Sequence, residues 1–370
     1  EAKNAKRAVK ASGATLMAIT LSACNGSGTV NTDTQNDGET QLNEDAGGPQ
    51  VIDGVGTDTT PIRLTSNPDT VTFEGIAYAG RVWSPGGNVQ TNSLNDDDVI
   101  NGTATGSETL IVNLVHDTSS GETIIAPMMN NVETMNVSHT DTQAPNLDLE
   151  DVTGLTTVNV DRIEDTAAFV IDNLPGTAVN LAVDGSGNEI LSMTFGYDRD
   201  ANASTDDNFP AIVNVSLTDL QTTDAVGVTV DAGSTINLSV EDDVTLSALV
   251  VDDAATLNIS GTDDLTISAL SSSEGVLSTI DASGADGTLD IELGANDLVE
   301  ARVSGSSGTD IDFSYFGSTG NDTIRVDQDS LSAAPTGGDD ANGHDTIDGN
   351  TGVNTLDFTV EETAVTLTNS

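Results

Sequence analysis

The fold is decided by a tandem repeat: residues 231–249 read DAGSTINLSVEDDVTLSAL, and residues 252–270 read DDAATLNISGTDDLTISAL. Aligned from Asp231 and Asp252, the copies share Asp, Thr, Asn, Ser, an Asp-Asp pair, Thr and Ser-Ala-Leu. Within each copy, apolar residues alternate with polar ones, which is the pattern of strands with one buried face. One such unit cannot bury its own apolar face, so the repeat predicts a stack of similar coils.

An asparagine between two apolar residues marks the same unit seven times along the chain. The differences between successive residue numbers are 23, 23, 21, 34, 23 and 21. The one long gap, which contains positions 185–208, is expected to hold an inserted loop. The seven residues are Asn113, Asn136, Asn159, Asn180, Asn214, Asn237 and Asn258.

These spacings predict an all-β fold, a right-handed parallel β-solenoid (a β-helix or β-roll) with coils of about 21–23 residues. Because the flanking apolar residues point inward, the asparagine side chains point outward, where amides of successive coils can form a hydrogen-bonded ladder. A β-sandwich with regularly spaced strands is the competing interpretation.

The net charge of the chain limits the classes of function that it can have. Acidic residues number 60 and basic residues 10, giving a net charge of −50, and every lysine lies within the first ten residues. Such a chain cannot neutralise phosphates, so nucleic-acid binding is excluded. Two explanations remain open and are compatible with each other: a halophilic or marine surface protein kept soluble by charge, or a protein that includes divalent cations in its structure.

The N-terminal residues have the layout of a secretory signal: a basic start, a short apolar run over 14–23, and then Cys24. The motif Leu21-Ser22-Ala23-Cys24 resembles the lipobox of bacterial lipoproteins, which implies lipidation of Cys24 and removal of the residues before it. A buried apolar segment with a chance cysteine is the alternative. Residues 1–24 are therefore expected to be a signal segment, and 25–90 a low-complexity acidic tether with a small β cap.

Near the C-terminus, one pattern occurs three times: a glycine, an acid or amide two positions later, and an apolar residue two positions after that. The three copies are Gly320-x-Asp322-x-Ile324, Gly343-x-Asp345-x-Ile347 and Gly352-x-Asn354-x-Leu356. Glycine permits positive φ and brings carbonyl oxygens together, the aspartate offers a carboxylate, and the apolar residue enters the core. A weaker echo places Asp98 and Glu108 two positions before Ile100 and Leu110.

This pattern resembles the nonapeptide repeats of RTX proteins, the hemolysin-type repeats that bind Ca²⁺ between successive turns. The resemblance implies calcium as cofactor, with the metal residues Gly320, Asp322, Asp340, Gly343, Asp345, Gly352 and Asn354. Asp340 stands where the repeat has its first glycine, and Asn354 where it has aspartate. Acidic, glycine-rich turns without bound metal are the alternative.

The region from about residue 95 resembles S-layer-like and large RTX surface proteins of Gram-negative bacteria. The segments that carry the resemblance are NNVETMNV (130–137), LDLEDVTGLTTVNV (147–160), STIDASGADGTLDIEL (278–293) and GSTGNDTIRV (317–326). It implies a solenoid over 91–316, calcium repeats over 317–370, and a secreted, non-catalytic structural protein of the outer surface. Its expected partners are further copies of itself or a cell-surface polysaccharide, with membrane contact only through a lipid at Cys24.

Two other functions compete with the structural one. A calcium-dependent adhesin would bind a surface or glycan instead of assembling. A β-solenoid polysaccharide lyase would need a basic catalytic residue, for which the solenoid offers Arg162, Arg199, Arg302 and Arg325 but no lysine. The three histidines show no zinc-ligand spacing, and Arg325 within a calcium repeat is expected to be solvated or ion-paired, so no enzymatic activity is expected.

Overall fold

The computed structural model describes residues 33–34, 40–43 and 50–359, apart from 59, 84–89, 105, 117–122, 142, 165–168, 177–178, 187–189, 191, 198–209, 221–226, 232–234, 253, 273–276, 294–312 and 328–345. Cys24 and the metal residues Asp340, Gly343 and Asp345 lie outside the described residues. Every regular element within them is a β-strand, as the composition predicts.

The described strands, in chain order, are β1 (Asp33–Thr34), β2 (Thr40–Asn43), β3 (Gln50–Gly56), β4 (Ile62–Arg63), β5 (Asp69–Ala79), β6 (Arg81–Trp83), β7 (Gln90–Asn92), β8 (Val99–Gly102), β9 (Thr109–Leu114), β10 (Ile124–Ile125), β11 (Met128–Asn130), β12 (Thr134–His139), β13 (Asn146–Asp148), β14 (Val152–Thr153), β15 (Thr157–Ile163), β16 (Phe169–Leu174), β17 (Asn180–Asp184), β18 (Ser192–Tyr197), β19 (Ile212–Thr218), β20 (Gly227–Asp231), β21 (Thr235–Glu241), β22 (Val244–Leu246), β23 (Ala248–Asp252), β24 (Thr256–Gly261), β25 (Leu265–Ser271), β26 (Thr279–Ala285), β27 (Leu289–Leu293), β28 (Ser314–Phe316), β29 (Thr323–Asp327), β30 (Thr346–Asp348) and β31 (Thr355–Thr359).

Two large sheets contain most of these strands, one of 16 strands and one of 11. From β15 to β31 the chain alternates between them, except that β22 and β23 both lie in the 11-stranded sheet, and strands of successive coils pair in parallel. This arrangement confirms the predicted all-β parallel stack, and the competing sandwich, which requires antiparallel sheets, does not describe it. The right-handed sense of the coil stays a prediction.

The first coils have a third side. Strands β8, β11 and β14 pair in parallel at the far end of the 16-stranded sheet, so that β9, β10 and β11 form one coil with three strands. Strand β5 turns the corner, since its first half pairs with β8 and its second half with β9. Gly75 lies between the halves with φ of 89°, and a Cβ there would stand 2.2 Å from the carbonyl oxygen of Gly56. Only glycine fits such a corner.

Inward-facing aliphatic residues form one continuous core along the stack. Ile236 of β21 pairs with Leu257 of β24, which pairs with Ile280 of β26, and all three are buried. The alternation of the tandem repeat therefore places the same core position in each coil, as the pattern predicted.

Regular coils have the predicted length, and some coils are longer. Stacked asparagines are 23 residues apart between Asn214 and Asn237, and 21 between Asn237 and Asn258. The coil between Asn180 and Asn214 has 34 residues, yet part of the predicted inserted loop is strand β18, whose Phe195 is buried. The loop prediction was wrong for these residues, because β18 pairs with β16 and β20 as a regular strand of the 11-stranded sheet.

The stack extends beyond the predicted boundaries of 91 and 316. Strand β3 already pairs with β5 in parallel, so the large sheet includes residues from Gln50 onward. Strands β1, β2, β6 and β7 form a separate four-stranded sheet at the position of the predicted cap. At the other end, β28 to β31 continue both large sheets, so the described RTX-like residues are further coils of the same stack.

Candidate functional site: stacked polar turns

The outward asparagines form the predicted amide ladder, in two runs. Asn159 donates from Nδ2 to Oδ1 of Asn136 at 2.8 Å. In the longer run, each residue donates to the amide of the preceding coil at 2.9–3.0 Å, through Asn214 to Asn180, Asn237 to Asn214 and Asn258 to Asn237. The ladder therefore connects four successive coils with bonds of one direction.

The near-constant spacing of the asparagines conceals two shifts in register. Asn113 pairs with Ser138, two residues from Asn136, and its Oδ1 accepts a bond from Thr140 Oγ1 at 2.8 Å. Asn159 pairs with Ala182, because Asn180 also lies two residues away from its expected partner. Outward side chains recur every second residue, so a two-residue shift keeps the face and breaks the ladder.

The longer run supports a direct test. Asn237→Ala removes two side-chain hydrogen bonds, one to each neighbouring coil, and is expected to lower the free energy of unfolding by about 1–2 kcal/mol. Asn159→Ala is the matched control, since Asn159 has a ladder bond to Asn136 and faces Ala182 on its other side; about half the loss is expected. Urea denaturation measures both, and equal losses would mean that the number of ladder bonds does not determine the stability.

The first RTX-like turn is held together by the carboxylate of Asp322, which is 1% exposed. Oδ2 accepts the backbone N–H of Ser318 at 2.8 Å, and Oδ1 accepts the Ser318 hydroxyl at 2.6 Å. Oδ1 also accepts the N–H of Leu289, one coil earlier, at 3.2 Å. The carboxylate therefore closes its own turn and attaches it to the preceding coil.

The second turn repeats this arrangement with an amide. Asn354 accepts the backbone N–H of Asp322 on Oδ1 at 2.9 Å, just as Asp322 accepts the backbone N–H of Leu289 one coil earlier. Its Nδ2 donates to the carbonyl oxygens of Gly349 and Thr351. Where the RTX pattern places a cation among carbonyls, this turn has an amide N–H₂ group.

The two turn glycines differ in their role. Gly352 has φ of 98°, as the pattern predicted. Gly320 has no positive φ; a Cβ there would lie 2.5 Å from the carbonyl oxygen of Gly287, so glycine is needed for the close stacking of two coils. The predicted positive φ was wrong for Gly320, because close approach and not backbone conformation selects the residue.

The polar groups of these two turns are arranged for hydrogen bonding. Hydrogen-bond donors surround the carboxylate of Asp322, and Asn354 has its N–H₂ group directed at carbonyl oxygens. In the part of the chain that the structure describes, no three His, Cys, Asp or Glu side chains come together as metal ligands. As they stand, the two side chains fit hydrogen bonding better than calcium coordination, and calcium binding by the repeats stays a prediction.

The RTX-like turns continue a column of aspartates that we call the acidic corner. It lies where the chain passes from the 16-stranded to the 11-stranded sheet, and its members are exposed or half-buried. Several accept bonds from the next or the preceding coil: Thr288 N–H donates to Asp264 at 2.8 Å, and Asp242 N–H to Asp263 at 3.2 Å. The acidic corner consists of Asp219, Asp242, Asp243, Asp263, Asp264 and Asp286.

The weaker echo of the pattern, at Asp98 and Glu108, also consists of buried turn carboxylates. Asp98 accepts the N–H of Asp69 at 2.8 Å and that of Asn95 at 2.9 Å. Burial, together with the charges of Asp69 and Asp97, raises the pKa of Asp98 to about 7 against the two backbone bonds. Sequence spacing located these residues but gave no sign of their complete burial.

Arg325 is ion-paired, as expected. It donates two hydrogen bonds to the carboxylate of Asp290, and its Nε lies 4.0 Å from Asp357 Oδ2. The acids on both sides raise the pKa of its guanidinium, chiefly through the bonds to Asp290. Arg325 therefore joins neighbouring coils on the outer face and is held in its charged form.

No protein-family model matches this chain, and no curated protein or solved structure is detectably similar to it. Among the described residues, no helix is both long and apolar enough to cross a membrane. The function is therefore inferred from the coils and turns themselves.

Proposed function

We propose that this chain is a secreted, non-catalytic structural protein of a bacterial cell surface, part of an S-layer-like lattice or coat, stabilised by calcium. The observation that carries the proposal is the acidic corner, which adds one or two aspartates in each of four successive coils of the parallel stack. A lipid at Cys24 would anchor such a stack to the membrane.

Repulsion among the aspartates of the acidic corner destabilises the stack, and bound cations reduce this repulsion. Strands of a sheet lie about 4.8 Å apart, so carboxylates in successive turns repel each other over short distances. From Val99 onward, the described residues include only two arginines and no lysine that could compensate, Arg162 and Arg325. Arg162 donates to Glu164 and Arg325 to Asp290, so both are already paired with acids. Calcium, which prefers carboxylate and carbonyl oxygens, is the natural counterion.

The repetitive coil supports a structural role. Successive coils are joined by backbone bonds, and several of them also by asparagine amides and turn carboxylates. Such a stack offers the same polar surface at regular intervals, which suits repeated contacts between copies or with a polysaccharide.

Thermal unfolding of the full chain during a calcium titration, followed by circular dichroism, tests the proposal. We expect calcium to raise the melting temperature well above the value in chelator, and above that in NaCl of equal ionic strength. Equal effects of CaCl₂ and NaCl would show that screening alone stabilises a halophilic acidic protein.

Electron microscopy and light scattering of the calcium-loaded protein test the assembly. Ordered sheets, with scattering that grows with calcium, support the lattice. Isolated rods would overturn the lattice and favour the adhesin, since an adhesin requires exposure of single molecules.

A further inference from the structure

Two glutamates stack in successive coils at the corner before strands β9 and β12. Thr109 pairs with Thr134, so Glu108 and Glu133 occupy equivalent positions. Glu133 accepts the backbone N–H of Glu108 on Oε2 at 2.7 Å. The two acids therefore form a close pair.

Glu108 is 0% exposed, and only one of its carboxylate oxygens is satisfied. Oε1 accepts the hydroxyl of Thr103 at 2.5 Å. Oε2 is buried and accepts no hydrogen bond from the protein. A buried carboxylate oxygen without a donor, beside a second carboxylate, is costly unless a proton or a cation lies between the two groups.

The backbone around Glu108 leaves room for this arrangement. A Cβ on Gly102 would stand 3.0 Å from Cγ of Glu108, and one on Gly106 would stand 2.2 Å from Oε1. The turn between these glycines is open to solvent at Ala104, and Gly106 and Ser107 are exposed. The acid pair therefore lies next to the solvent-exposed residues of this turn.

We propose that Glu108, Glu133 and Thr103 form a calcium site that joins two successive coils. The site is distinct from the RTX-like turns, and it does not depend on the proposed lattice. Oε2 of Glu108 and the Glu133 carboxylate supply the negative charge, and the Thr103 hydroxyl is a further oxygen ligand.

The chemistry of the ligands selects the ion. All of them are hard oxygen atoms, without the histidine or cysteine that zinc and copper sites use. Calcium accepts irregular sets of six to eight oxygens, whereas magnesium requires near-octahedral geometry and keeps most of its water. A corner built from two carboxylates and one hydroxyl therefore suits calcium, with solvent supplying the remaining ligands.

Amide hydrogen exchange of the full chain, read at residues 99–114 and 128–139, tests the site locally. In wild type, calcium at ten times its dissociation constant is expected to slow exchange there about tenfold relative to chelator, and magnesium much less. Glu108→Gln is expected to abolish this response and to be more protected than wild type in chelator, because its amide can donate to Glu133.

Two further variants complete the test. Glu133→Gln should also remove the response, so the proposal stays testable if one variant folds poorly. Glu74→Gln, an exposed acid on the neighbouring strand β5, should leave it unchanged. If calcium has no effect on wild-type exchange here, but lowering the pH from 8 to 5 raises the protection factors beyond the fall in the intrinsic exchange rate, the pair shares a proton and the site is overturned. Scattering and exchange at 317–327 report the lattice and the RTX-like turns separately, so either proposal can fail alone.

Discussion

Asp322→Ala is expected to lower the free energy of unfolding of the C-terminal coils by about 2–4 kcal/mol. The substitution removes the acceptor of three hydrogen bonds, two from Ser318 and one from Leu289. Leu289 and Ser318 are buried, so their N–H groups would be left without a partner where water cannot replace the carboxylate. Buried donors that lose their acceptor account for most of this loss.

A matched control lies one coil earlier. Asp286 is exposed in the corresponding turn and accepts one bond, from the Thr319 hydroxyl at 3.1 Å, so Asp286→Ala should cost less than about 1 kcal/mol. Urea denaturation, together with amide exchange at β27 and β29, separates the two.

Measurement in chelator distinguishes a hydrogen-bonding role from calcium coordination by Asp322. The hydrogen-bond role predicts the full loss in chelator. If Asp322 is instead a calcium ligand, the substitution should cost no stability in chelator. The loss would then appear only when calcium is added. The second result would show that the donors around Asp322 give way to the ion.

The repeat made the stack predictable, since an apolar–Asn–apolar triplet that recurs at near-constant spacing requires strands that return to the same place. The two-residue shifts at Asn113 and Asn159 were not predictable from spacing. The spacing of 23 residues includes a shift between Asn113 and Asn136 but none between Asn136 and Asn159, so the sequence shows no sign of the shift. Only the strand pairing reveals where the ladder breaks.

The sequence predicted where the polar turns lie but not which residues they contact in neighbouring coils. The Gly-x-Asp-x-Ile spacing correctly placed Asp322 before a buried Ile324. Its partner Leu289 lies 33 residues earlier, at the start of strand β27, and nothing in the local pattern identifies it. Glu133 was missed for the same reason, because its closeness to Glu108 arises only when two coils stack. Strand β11, three residues long, is too short to give a periodic signal.

Acid is expected to stabilise the N-terminal coils through Asp98. In the folded chain its pKa is raised from the ordinary value of 3.8 to about 7, chiefly by burial. Between these values the folded state holds a proton that the unfolded state has lost, so stability falls as the pH rises toward 7. This contribution is fully present below about pH 4 and absent above about pH 7. From pH 5.5 to pH 8 we expect a loss of about 2 kcal/mol from this group.

Two neutral variants isolate the Asp98 contribution from the general relief of charge repulsion in acid. Asp98→Asn cannot titrate, so its stability should change less between pH 5.5 and pH 8 than that of wild type. Asp97→Asn removes the same charge at the adjacent exposed position and should retain most of the wild-type dependence. Urea unfolding across this range measures how the free energy of unfolding changes with pH in wild type and in the two variants. If Asp98→Asn keeps the wild-type slope, the two backbone N–H bonds outweigh burial, and Asp98 is ionised throughout; the acid response then belongs to the acidic surface as a whole.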